Sequence, residues 1–245
     1  PSRQNTFRRL YLNDWHTQQE TRWIDIDLWD SMAGVVDEEK LRGRTCYGGL
    51  DLGAVDDFSA WVMVFPRPED PERLDVLARF WCPEAQLTNA ANRYRAQYAA
   101  WRRQGWLETT PGNATDYAFI RARILEDARK FNLVDLAVDR LFQAHQLATE
   151  LADEGLKVFG MGQGFMSMAA PTKEFQRLLL ARKLNHGGNP VLRWMADGVV
   201  VRQDPAGNLK PDKERSQVKI DGIVALIMAI DRAARHEEAL EWRAV

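Results

Sequence analysis

Thr45-Cys46-Tyr47-Gly48-Gly49-Leu50-Asp51 decides how the rest of the chain is read. It is a short, largely apolar run that ends on an acid, and it reads as a first strand. Ser59–Pro66 (SAWVMVFP) reads as a second strand, rich in Val, Trp and Phe, and Leu74–Trp81 (LDVLARFW) as a third. Short connections punctuated by Pro, Glu and Asp make these three an antiparallel meander.

Downstream the pattern alternates. Helical character over Asn89–Gln104 is followed by a stronger helix over Tyr117–Phe131. There Phe119, Ile120, Ile124, Leu125 and Ala128 recur at helical spacing, with Thr115 or Asp116 as cap. Leu133–Asp139, a helix over Gln143–Glu154 that stops at Gly155, and Lys157–Gly160 form a βαβ unit. Thr172–Arg182 is helical again, and Gly198–Arg202 with Leu209–Lys210 flank a turn-rich DPAGN as a hairpin. Ile220–Arg235 is the last helix, apolar at Ile223, Val224, Leu226, Ile227 and Ile230. A meander followed by α/β alternation predicts an α/β fold: a mixed sheet with helices on both faces.

Upstream, residues 1–44 read differently. Phe7, Leu10, Tyr11, Leu12, Trp15, Trp23, Ile26, Leu28 and Trp29 are spread without a clean period. This predicts an extended, aromatic-anchored strap with a short helix at Ser31–Val36, leading into a domain at 45–245. A start at Pro1 reads as a piece cut from a longer protein.

The 245 residues are 45% hydrophobic and 28% charged, which suits a globular chain with a sizeable core. No apolar run approaches the ~18 residues of a membrane span, and no signal-peptide core opens the chain. Cys46 and Cys82 cannot make a disulfide framework or a four-cysteine zinc site, and they fit a reducing compartment. The net charge of −2 hides a gradient. Residues 1–154 carry 19 basic and 25 acidic side chains, whereas residues 155–220 carry 11 and 5. A basic segment in an acidic protein is either a solvated face or a docking site for a polyanion.

Three acids stand at the ends of predicted core elements: Asp51 closes the first strand, Asp139 ends the fourth, and Asp221 opens the last helix. Burying an acid there is costly unless it is paired or bound to a cation. If the three converge they make an oxygen-donor cluster of the kind that holds Mg²⁺ or Mn²⁺. Two such ions ~4 Å apart support phosphodiester cleavage. Each acid also has a plainer role: a helix cap for Asp221, an Asx turn for Asp139, a loop cap for Asp51. Asp57 is a fourth candidate, held with Asp56 near Asp51 by a turn, and Lys219 is placed to neutralise the cluster or touch a phosphate. The histidines (His16, His145, His186, His236) have no metal-ligand spacing.

Cys46–Gly53 followed by Asp57-Phe58-Ser59-Ala60 resembles the nuclease entry motif of tailed-bacteriophage terminase large subunits, with Gly53 and Phe58-Ser59 as mild departures. Leu184–Met195 (LNHGGNPVLRWM) resembles that family's L-x-H-x-x-N-P-V-L-x-W segment, and Lys219–Leu226 (KIDGIVAL) its K-I-D-G helix. Gln163-Gly164 followed by Met168 matches another recurring step. The resemblance covers almost the whole chain. It implies a ribonuclease H-like nuclease domain in which Asp51, Asp139 and Asp221 bind metal, with Asp57 and Lys219 auxiliary. The implied reaction is metal-dependent cleavage of double-stranded concatemeric DNA, and the implied setting is the host bacterial cytoplasm at the procapsid portal. An N-terminal ATPase, a portal protein and the terminase small subunit are the implied partners. No phosphate loop of the ATPase type is present. Lys173, Arg177, Arg182, Lys183, Arg202, Lys210, Lys213 and Arg215 are the expected DNA contacts, with the 198–210 hairpin over the DNA path.

Two other readings compete. Gly49–Gly53 also resembles the D-x-G phosphate loop of actin-like ATPases and sugar kinases, which require a second such loop. Alternatively the domain is a non-catalytic docking module whose tryptophans are contacts.

Overall fold

The computed structural model describes residues 22–53, 57–140 and 142–241; Asp56 and the anchors Phe7, Leu10, Tyr11, Leu12 and Trp15 lie outside them. Thr45–Asp51 (β1), Ser59–Arg67 (β2) and Asp70–Pro83 (β3) form the antiparallel meander. Glu108–Thr110 (β4) adds to β3 in parallel, while Asn132–Asp139 (β5) and Val158–Met161 (β6) extend the other side in parallel. The strand order is β4-β3-β2-β1-β5-β6, and Leu184–Asn185 (β7) pairs with the start of β3. This is the mixed sheet that the sequence predicts.

Strand alternation sorts the side chains into two cores. Ala60, Val62 and Val64 of β2 face the core that holds the last helix, Asp221–Glu241 (α7). Trp61, Met63 and Phe65 face the opposite core, with Ile120 and Ile124 of helix Tyr117–Lys130 and Leu147 and Leu151 of helix Phe142–Asp153. Residues 223–230 of α7 are all buried. A helix apolar all round needs burial on every side, and α7 obtains it between the sheet and two further helices, Phe165–Leu180 and Pro190–Gly198.

The paired glycines of the opening run are needed for that packing. A Cβ on Gly48 would lie 2.0 Å from the Trp61 ring, and one on Gly49 would lie 2.0 Å from the Ala225 carbonyl of α7. The helix backbone therefore rests directly on β1.

Several elements differ from expectation. The short helix near the start is Ile26–Asp30, not Ser31–Val36, because Asp25 caps it by accepting from the Asp27 and Leu28 amides. Trp29 is buried, stacks 4.2 Å from the His186 ring, and its carbonyl meets His186 Nε2 at 2.8 Å. Burial holds that imidazole below its ordinary pKa. The helix expected from Asn89 starts at Arg95, since the Asn89 and Asn92 side chains accept from nearby amides and hold the chain in turns. The helix expected from Thr172 begins at Phe165 and runs through the buried Pro171.

Pro190–Gly198 is a helix that the sequence reading did not draw, so the following hairpin is Val201–Gln203 (β8) with Leu209–Pro211 (β9) rather than starting at Gly198. Asn189 caps this helix with Oδ1, 3.0 and 3.1 Å from the Val191 and Leu192 amides, and Pro190 fills the first helical position. Asn189→Ala is expected to cost about 1 kcal/mol, which corresponds to roughly 2–4 °C in the thermal midpoint of a chain this size. Differential scanning fluorimetry of the purified variant checks it.

Candidate metal centre

Leu50 of β1 pairs with Val138 of the parallel β5, so Asp51 and Asp139 end adjacent strands side by side. Both belong to the alternation class of Gly49 and Ala137, which faces α7. The first residue of α7 is Asp221. All three acids are buried, Asp51 completely. Asp221 is not a cap: the Ile220 carbonyl accepts the first helical bonds, from the Ile223 and Val224 amides. Its carboxylate instead points into a cleft of about 240 Å³ that is also lined by Asp57, Asp139, Lys213 and Lys219.

One cation holds two of the acids. Lys213 Nζ lies 2.7 Å from Asp51 Oδ2 and 3.0 Å from Asp221 Oδ1. Gln163 Nε2 donates to Asp51 Oδ1 at 2.9 Å, and Lys210 on β9 donates to the Gln163 carbonyl at 3.1 Å, which fixes the hairpin beside the cleft. Burial pushes the Asp51 carboxyl up to about 7; Lys213 pulls against this, while Asp221 and Asp139 add to it. Burial works against the Lys213 charge, but Asp51 and Asp221 outweigh it and raise its pKa. Asp221 Oδ2 is buried with no hydrogen-bond partner.

The donor set suits a hard divalent cation. Its ligands would be carboxylate oxygens, an unsatisfied one among them, and a positive charge already stabilises two of them. Among the described residues no three acidic, His or Cys side chains form a finished metal cage as they stand. The Lys213 ammonium bridges Asp51 and Asp221 instead.

Other predicted residues separate into two groups. Lys219 pairs with Asp57, so it neutralises that acid rather than the buried ones. Lys213, expected on DNA, is bound to the acids. Lys210 and the exposed Arg202 sit on the hairpin, Lys173 is exposed on the helix Phe165–Leu180, and Arg215 lies 3.7 Å from Asp212. Arg177 and Lys183 lie at the wrong end of the sheet for the cleft. Lys183 pairs with Asp70 and Glu72, and Arg177 with Glu72 and Glu174. Next to Lys183, Leu184 pairs with Leu74, which is level with Pro66. Pro66 is six residues along β2 from Ala60, the partner of Asp51, or about 20 Å at ~3.3 Å per residue. Arg182 donates to Ser31 of the strap. His186 belongs to that far end too, held against Trp29.

Sequence reasoning missed the bridging role of Lys213 and a neighbouring polar groove of about 410 Å³. Arg93, Tyr94, Gln86 and Asn92 line one side of it, and Lys213 and Lys219 line the other. Nothing in the acidic composition of residues 1–154 pointed to Arg93. Gly222, next to Asp221, offers no second phosphate loop of the kind the kinase reading requires: it lies in a packed helix start, where a Cβ would meet Phe80 at 2.7 Å and Met195 at 2.9 Å.

The family described as "Terminase large subunit, endonuclease domain" matches residues 2–237. The chain is 35% identical over 235 residues to the terminase large subunit of Enterobacteria phage HK97, covering 95% of this chain and 45% of that protein. It spans about half the length of the curated relatives it matches. The crystal structure of the HK97 large terminase superposes with a TM-score of 0.78 at 34% identity, over 95% of this chain and 47% of that one. A large terminase nuclease from thermophilic phage G20c, solved with bound magnesium, gives a TM-score of 0.50 at 10% identity, over 82% and 98%. The G20c likeness bears on the fold alone.

Proposed function

The chain belongs to the family of terminase large subunit endonuclease domains, and from that membership we propose that it is a divalent-metal-dependent endonuclease cutting double-stranded concatemeric DNA during viral genome packaging. The observation that carries this reading is the pairing of two buried carboxylates, from elements far apart in the chain, across one cation at 2.7 and 3.0 Å. Asp51, Asp139 and Asp221 would hold Mg²⁺ or Mn²⁺, two ions in the full site; the G20c nuclease, which has the same fold, was solved with bound magnesium. Such ions would supply positive charge at the attacking and leaving oxygens of the phosphodiester.

The chain's own residues do the rest. Gln163 orients the Asp51 carboxylate through its 2.9 Å hydrogen bond. Lys219 and Asp57 border the cleft, and the Lys219 ammonium would meet the scissile phosphate there. The hairpin carrying Arg202 and Lys210, with Lys173 and Arg215, gives phosphate contacts that bind without reading sequence. Arg177, Arg182 and Lys183 are left out of this path because of their position and partners. In the whole protein the domain would work beside an ATPase, the portal protein and the terminase small subunit, in the host cytoplasm.

The test is nicking of supercoiled plasmid. Relaxed and linear DNA are expected with Mn²⁺ or Mg²⁺, and none after EDTA. Intact plasmid with every divalent ion, or cleavage that survives EDTA, would reject the reading.

A further inference from the structure

Lys213 lies on the wall between two spaces. Its ammonium bridges Asp51 and Asp221 on the acidic side, and the same side chain lines the polar groove that contains Arg93 and Lys219. It is 38% exposed, although the acids it holds are buried. Its segment connects the hairpin to α7 and is tied to the far wall of the groove, where Arg93 and the Tyr94 hydroxyl donate to the Gln217 carbonyl. A lysine that satisfies two buried carboxylates is their counter-charge. A divalent cation placed between the same oxygens would repel it.

We propose that Lys213 is an exchangeable internal cation: it occupies the acid pair when no metal is bound, and moves to a DNA phosphate in the Arg93 groove when metal takes the acids. This rests on the nuclease reading above. The exchange leaves every charge paired, since the ion takes the carboxylates and the phosphate takes the ammonium. Metal and DNA binding then assist one another, because each removes the competitor of the other. Linkage makes that coupling equal in both directions.

Calorimetric titration of Ca²⁺ into the wild-type chain and Lys213→Met, with and without a short DNA duplex, tests the exchange. Wild type is expected to bind Ca²⁺ several-fold tighter with DNA present. Lys213→Met is expected to bind Ca²⁺ at least tenfold tighter than wild type without DNA, with little further gain from DNA. Equal or weaker binding by Lys213→Met overturns the proposal. If that variant does not fold, acetylation of wild-type lysines read by mass spectrometry decides. Labelling of Lys213 is expected to rise at least fivefold on adding Ca²⁺ alone and to fall again when duplex is added, with the exposed Lys157 unchanged throughout; a Lys213 signal that Ca²⁺ does not raise overturns it. Wild type that nicks plasmid with Mn²⁺ but fails these measurements loses only the exchange; wild type that binds no divalent ion loses the nuclease reading as well.

Discussion

Asp51→Asn and Asp221→Asn are each expected to lower Mn²⁺-dependent plasmid nicking by on the order of 10³-fold, since a metal ion contributes several kcal/mol of charge stabilisation and each 1.4 kcal/mol is a factor of ten. Both substitutions keep the side-chain shape. Each removes a carboxylate charge from the pair that Lys213 bridges. In the folded, metal-free chain the cost is small or even favourable, because burying fewer charges relieves the desolvation that pushes Asp51 up to about 7. The signature is therefore a split: loss of activity with an unchanged or raised thermal midpoint in EDTA. Variants that keep wild-type nicking rates at saturating Mn²⁺ would show that these acids are structural.

Gly49→Ala gives the second large effect, and by another route. The new methyl group would sit 2.0 Å from the Ala225 carbonyl oxygen and 2.8 Å from the Ala229 amide nitrogen. Overpacking a core costs about 1–3 kcal/mol when side chains can rotate away. Here the obstacles are backbone atoms of a helix buried on all sides, so the cost is expected to exceed about 3 kcal/mol in urea unfolding. Lifting α7 from β1 also draws Asp221 from Asp51, so metal-dependent nicking should fall with stability. A variant as stable as wild type would mean that α7 does not lie against β1.

The strands of the meander and the βαβ unit were legible because runs such as Ser59–Phe65 are buried on both faces and contain β-branched and aromatic residues. The acids were legible because each ends a core element. What escaped notice has a common cause. Strands β4 and β7, of three and two residues, are too short to carry a period. The helix Pro190–Gly198 carries its start signal in Asn189-Pro190, but it lies inside the L-x-H-x-x-N-P-V-L-x-W segment, whose resemblance says nothing of local structure. The charges misled because a count of Lys and Arg does not reveal their partners. Lys183 and Arg177 are answered by Asp70 and Glu72 from a distant part of the chain, and the cation that matters most to the acids, Lys213, looked no different from them.

Because residues 223–230 of α7 are buried all round, the acids come together in a set order during synthesis. Asp51, Asp139 and Asp221 are each more than 80 residues from the next, and the last rides on a helix that acquires its place only by packing on the finished sheet. A growing chain still short of that helix has two of the three acids and an uncovered sheet face. Assembly dominated by such long-range contacts is slow, so the three acids come together late and all at once, only after that helix has been made.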